Sequence, residues 1–164
     1  MNSKKIEILQ IVEENARIDI NTLSKMVDLT TSEVDALLKE LEKEKIILNY
    51  STVIDWTKVE INEKVTAMID VKVAPKRGVG FDEVAERIYR FPEVKALYLM
   101  SGAYDLQVVI EGNTMHQIAN FVSEKLSSID SVLSTTTHFQ LKKYKHDGVV
   151  FEEVEEDRRI VVTP

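Results

Sequence analysis

Along the first fifty residues the apolar positions recur at helical spacing. In KKIEILQIVEEN, Ile8, Ile11 and Val12 fall at i, i+3 and i+4, and Ser3 is placed to cap the start. DINTLSKMV predicts a short second helix with Asp19 as its cap and Ile20, Leu23 and Val27 turned inward. Asp28, Leu29 and Thr30 form a tight connection into a third helix. That helix opens on a capping box, with Thr30 as N-cap and Glu33 three residues on, and carries the stripe Val34, Leu37, Leu38 and Leu41.

After Lys45 the period changes. IILNYSTVIDW is rich in β-branched and aromatic residues and predicts an extended segment that leaves the helices. A polar stretch, Thr57 to Glu63, marks a boundary, so residues 51–63 read as a linking strand or hinge between a helical domain (1–50) and a second domain (64–145).

In the second domain, KVTAMIDVKVA alternates, with Val65, Ala67, Ile69, Val71 and Val73 on one face. FDEVAERIYRF predicts a helix with Phe81, Val84, Ala85 and Ile88 inward, stopped by Pro92. LYLM and LQVVI predict two strands joined by the turn Ser101-Gly102-Ala103-Tyr104-Asp105. NTMHQIANFVSEKLSS predicts a helix with a Thr114–Gln117 capping box and Met115, Ile118, Ala119 and Val122 buried, and SVLSTTTHFQLKKY predicts a last strand. The order β-α-β-β-α-β is the ferredoxin-like arrangement, two helices covering one face of an antiparallel sheet. Met68, Tyr98, Met100 and Val109 are expected on the uncovered face, which predicts a homodimer through the sheet. Residues 146–164, with the acidic run EEVEED, read as a solvated C-terminal tail whose Ile160, Val161 and Val162 could instead add to a neighbouring sheet.

Composition narrows the function classes. The 164 residues contain no cysteine, which excludes disulfides, thiolate metal sites and cysteine nucleophiles and fits a reducing cytoplasm. No stretch has the length of a membrane span and the N-terminus lacks a signal-peptide core, so the expected location is cytoplasmic. His116, His138 and His146 show no metal-ligand spacing, and no phosphate-binding loop, dinucleotide fingerprint or Gly-x-Ser-x-Gly elbow occurs. Neither an enzyme nor a cofactor is expected. The net charge of −7 disfavours nucleic acid as a partner.

Three helices with a tight turn before the third have the layout of a helix-turn-helix. Joined to a ferredoxin-like domain with Gly-x-Tyr-Asp in its central hairpin, the chain resembles the Lrp/AsnC family of transcriptional regulators. The resemblance rests on Ile8-Leu9, Ala16 to Ile18, LSKMVDLT at 23–30, Leu41 to Tyr50, SGAYD at 101–105 and the final VLSTTTHFQL. It implies a winged helix-turn-helix followed by a ligand-binding domain of the RAM type. It further implies a sequence-specific regulator on double-stranded DNA, assembled as dimers and often tetramers of dimers, with a small effector, usually an amino acid, bound where dimers meet. DNA contact is then expected from Thr30, Thr31, Ser32, Asp35, Lys39 and Lys43. Effector contact is expected from Ser101, Gly102, Ala103, Tyr104 and Asp105, with hydroxyls added by Thr135, Thr136 and Thr137.

The third helix departs from the family pattern. Leu37 and Glu40 stand where basic residues are frequent, and Lys45 replaces a common glycine. Between Ser32 and Lys45, Glu33, Asp35, Glu40, Glu42 and Glu44 outnumber Lys39, Lys43 and Lys45. Two readings follow: a reader of modest affinity strengthened by oligomerisation, or a metabolite-sensing module whose DNA binding has weakened or been lost.

Overall fold

In a computed structural model the chain divides into two compact units, Met1–Ile54 and Asp55–Pro164. The structure describes residues 3–59, 64–74 and 80–151.

The first unit holds α1 (Ser3–Glu14), α2 (Ile20–Val27) and α3 (Thr31–Lys43). Ser3 is the first helical residue of α1 and not its cap. The Asp19 carboxylate caps α2 by accepting from the backbone N–H groups of Asn21 and Thr22, as the polar residue before an apolar run predicts. Ile8, Leu23, Val27, Val34 and Leu41 are fully buried, with Leu37 and Leu38 packed beside them. The α2–α3 turn passes through Asp28 in the left-handed region (φ 52°). A reciprocal capping box then opens α3: the Glu33 backbone N–H donates to Thr30 Oγ1 at 3.3 Å and Thr30 N donates to Glu33 Oε2 at 2.8 Å.

Helix α3 closes on a Schellman motif. Ile46 N–H reaches the Leu41 carbonyl at 2.9 Å and Lys45 N–H the Glu42 carbonyl at 3.0 Å. This geometry holds Lys45 at φ 54°, the backbone region that favours the glycine expected there. The chain then runs on without a strand, apart from a single 3₁₀ turn at Trp56–Lys58, and Leu48 and Trp56 stand 83% and 56% exposed.

The second unit contains β1 (Val65–Val73), α4 (Phe81–Tyr89), β2 (Val94–Leu99), β3 (Leu106–Gly112), α5 (Met115–Asn120) and β4 (Val132–Phe139). The strands form one antiparallel sheet in the order β2-β3-β1-β4. Its covered face presents Ala67, Ile69, Val71, Leu106, Val108 and Ile110 to Val84 and Ile88 of α4 and to Ile118, Phe121 and Leu126. The expected burial of Met115 and Ala119 is corrected: both are exposed, and Phe121 and Leu126 take their place. From Phe121 to Leu126 the helix widens into a π turn.

Met68, Tyr98, Met100 and Val109 lie on the other face, half-buried or exposed. Part of the segment expected as a loose tail is ordered: β5 (Lys145–His146) and β6 (Val149–Val150) pair across Asp147 and Gly148, at φ 46° and 79°. Positive φ at both central residues is what a tight two-residue hairpin turn requires. The run EEVEED and residues 160–162 lie outside the described residues.

Candidate DNA-reading face and effector site

At 100° per residue, Val34, Leu37, Leu38 and Leu41 occupy a sector of about 100°, and Ser32, Asp35, Ala36, Lys39 and Lys43 a sector of similar width directly opposite. The first set packs into the unit's core and the second points outward. The helix as a whole is acidic, yet these five outward residues are not: two lysines against Asp35 leave them at +1, with Glu42 about 20° beyond Asp35 on the side of Thr31.

The remaining acids of α3 sit on its flanks with partners inside their own unit. Glu33 Oε2 accepts from Thr30 Oγ1 at 2.7 Å, and that hydroxyl, aided by the Thr30 backbone N–H, holds the Glu33 carboxyl below its ordinary pKa. Lys5 Nζ lies 2.9 Å from Glu40 and 4.0 Å from Glu44. The Tyr50 hydroxyl donates to Glu42 at 2.9 Å. On the stripe itself, Lys39 Nζ lies 2.6 Å from Asp35 Oδ2, one helical turn away. Thr30 differs from its expected partners in DNA contact, because its hydroxyl is engaged in the capping box. Thr31 stands exposed at the edge of the stripe.

In the second unit the hairpin Ser101–Asp105 joins β2 to β3. Ser101, Gly102 and Ala103 form its exposed tip, with Gly102 at φ 135°, a conformation that L side chains rarely adopt. Asp105 points the other way, toward β1. Its Oδ2 accepts from Val73 N–H at 2.8 Å and its Oδ1 from Lys72 Nζ at 3.1 Å, while its own N–H donates to the Val71 carbonyl at 3.0 Å. The Val73 N–H chiefly, with Lys72, keeps the carboxyl below its ordinary pKa against the opposing effect of burial.

A polar row crosses the open face of the sheet, because residues directly paired across antiparallel strands share a face. Tyr98 pairs with Gln107, Gln107 with Asp70, and Asp70 with Thr136. Gln107 Nε2 donates to the Tyr104 hydroxyl at 3.2 Å and Asp70 Oδ2 lies 3.0 Å from His138 Nε2. This row was not anticipated from the sequence, since its members come from four separate segments.

The ligand-binding domain model of the Lrp/AsnC family matches residues 66–150, and a winged helix-turn-helix DNA-binding model matches residues 1–47. The HTH-type transcriptional regulator YugG of Bacillus subtilis is 63% identical over the whole chain and 99% of its own length. The chain belongs to the Lrp/AsnC family. It is an HTH-type transcriptional regulator with a ligand-binding domain.

A proline dehydrogenase transcriptional activator of Rhizobium radiobacter is 26% identical over 88% of this chain and 91% of that protein. Among solved structures, a transcriptional regulator of Neisseria meningitidis in complex with L-methionine has a TM-score of 0.70 at 27% identity, covering 89% of this chain and 93% of that one. AsnC of Escherichia coli shares the fold, with a TM-score of 0.66 at 16% identity over 89% and 95% of the two chains.

Within this Lrp/AsnC chain the three threonines expected at one effector site are split by the strand alternation. Thr136 pairs with Asp70 on the open face, whereas Thr135 and Thr137 pair with Val71 and Ile69 on the helix-covered face. Ala36, exposed on the α3 stripe, was missed because alanine carries no chemistry that a motif search would flag. A cleft of about 360 Å³ between α4 and β2 was missed as well. Its lining is mainly apolar, including Phe81, Tyr89, Leu97 and Leu99, with one charge of each sign from Asp82 and Lys95.

Proposed function

We propose that this regulator binds double-stranded DNA by laying α3 in the major groove, as an assembly of identical chains, and that an amino acid held at the Ser101–Asp105 hairpin sets its affinity. The observation that carries the DNA reading is the charge distribution on α3. Its outward stripe is short, polar and net positive, and the surplus carboxylates lie beside it on groups of their own unit. In this reading Ser32, Asp35 and Ala36, near the helix N-terminus, meet base edges. Lys39 and Lys43 contact bases or phosphates, Thr31 lies at the groove edge, and Thr30 shapes the helix entry.

Self-association is supported by two apolar surfaces, each within one unit. The open sheet face presents Met68, Tyr98, Met100 and Val109, and the strand-free segment after α3 exposes Ile46, Leu48, Tyr50 and Ile54. Two or more α3 stripes on one assembly raise the apparent affinity by avidity, on the order of 10²–10⁴ where the spacing fits. That gain offsets the small number of cations on each helix.

The amino-acid reading is supported by the relative in complex with L-methionine and by the exposed hairpin tip. Gly102 leaves backbone N–H groups open to a carboxylate, with Ser101, Ala103 and Tyr104 alongside. Asp105 fixes the turn to β1 and shapes the site from behind. The test is a gel shift on duplexes selected from a random pool, repeated with each common amino acid. Retained duplex with an effector-dependent shift is expected. Amino-acid binding with no duplex retained at any salt would leave a sensor without a DNA reader.

A further inference from the structure

The pair Asp35–Lys39 lies in the middle of the outward stripe of α3, 2.6 Å from carboxylate oxygen to ammonium nitrogen, with side chains 48% and 71% exposed. We infer that these two side chains act as one reader, selecting a G·C base pair: Lys39 takes the guanine O6 and N7, and Asp35 accepts from the cytosine N4 amino group. This rests on the proposed docking of α3 in the major groove and adds a base preference to it.

In a G·C pair the guanine O6 and cytosine N4 are themselves joined by a hydrogen bond, so they lie about 2.9 Å apart. The Asp35–Lys39 separation is close to that, so both atoms of the protein pair can face both atoms of the base pair at once. The groove edge of G·C runs acceptor, acceptor, donor, which suits a cation beside the guanine and a carboxylate beside the cytosine amine.

The A·T edge runs acceptor, donor, acceptor, methyl. With the carboxylate on the adenine N6, the ammonium has a single neighbouring acceptor, thymine O4 or adenine N7, in place of the O6 and N7 pair that guanine offers it, so G·C is preferred by one contact to the ammonium. Neither residue has a competing role in the fold: the stripe faces away from the core, and the helix cap is supplied by Thr30 and Glu33. Ser32 and Ala36 flank the pair on the same stripe and leave room for a base edge between short side chains.

The test is a selection of duplexes from a random pool by the full-length protein, run in parallel for wild type, Asp35→Asn and Lys39→Ala. Circular dichroism confirms that each variant keeps its helices. Wild type is expected to enrich a G·C pair at a fixed position in each half-site. Asp35→Asn should move that position toward A·T by roughly tenfold, since an asparagine amide pairs bidentately with adenine N6 and N7. Lys39→Ala should flatten the preference there and weaken binding.

A sharp motif that is unchanged in Asp35→Asn, or one that carries A·T at this position in wild type, overturns the inference and leaves the DNA-binding reading standing. Recovery of no duplex by wild type overturns both.

Discussion

Lys5 Nζ on the first helix stands 2.9 Å from the Glu40 carboxylate on the third, and the lysine is the more covered of the two, 16% exposed against 47%. The contact and its hydrogen bond raise the Lys5 pKa above its ordinary value, so the cation persists at any working pH. Glu40 belongs to the flank of α3, beside the outward stripe, and in the proposed docking it would face the phosphate backbone. Its partner explains how an acidic helix can still present a positive face.

Glu40→Arg tests that placement. A cation on the flank should add about one unit to the slope of log affinity against log salt and strengthen binding at low salt several-fold. Fluorescence anisotropy on one duplex over a salt series reads the slope. An unchanged slope would move Glu40 away from the DNA backbone.

Lys45→Gly should stabilise the first unit. The left-handed backbone costs an L residue about 1–2 kcal/mol, and the extra freedom of glycine in the unfolded chain removes part of the gain. The net is a stabilisation of about 0.5–1 kcal/mol, seen as a rise of a few degrees in melting temperature. A lower melting temperature would mean that the lysine side chain does more at this helix end than the backbone geometry indicates.

Thr30→Ala removes one half of the capping box and should cost about 1 kcal/mol in urea unfolding, with Thr30→Ser recovering most of it. If Thr30→Ser binds DNA as wild type does, the Thr30 hydroxyl serves the helix rather than the groove.

Asp105 ties the hairpin to β1 and its folded pKa is depressed below the ordinary 3.8. The unfolded chain therefore takes up this proton at higher pH than the folded one. The contribution is fully present above the unfolded value, near pH 4, and is lost as pH falls through the depressed folded value. Melting temperature measured across that acid range should fall for wild type more steeply than for Asp105→Asn. Parallel curves would remove the carboxylate from the stability of the turn.

Much of this architecture is legible in the amino-acid sequence. The stripe Val34 to Leu41 fixed the register of α3, and the Thr30–Glu33 box fixed its start. The alternation Ala67, Ile69, Val71 set the covered face of β1. What escaped depends on partners distant in the chain or on a choice that periodicity leaves open. The neutralising contact between Lys5 and Glu40 joins two helices, and local periodicity says nothing about it. The bonding of the Asp105 carboxylate to β1 was not legible, because a turn aspartate can point either way. The last helix carries two overlapping apolar stripes, Met115-Ile118-Ala119-Val122 and Ile118-Phe121-Val122-Leu126, and periodicity alone does not choose the second, which is the one that packs on the sheet. The threonine run could have been divided from its alternation alone, but reading it as a cluster of hydroxyls obscured that.

The account turns on the outward stripe of α3 meeting DNA, and paired substitution on that helix measures it most directly. Equilibrium binding of one selected duplex is compared for wild type, for Lys39→Ala with Lys43→Ala on the stripe, and for Glu42→Ala on the flank. Loss of about one unit of salt slope per chain in the double lysine variant, from the phosphate contact of Lys43, with weaker binding overall and with binding retained in the flank variant, is the expected result. Equal binding by all three proteins, or no binding by wild type even in dilute buffer, would contradict it.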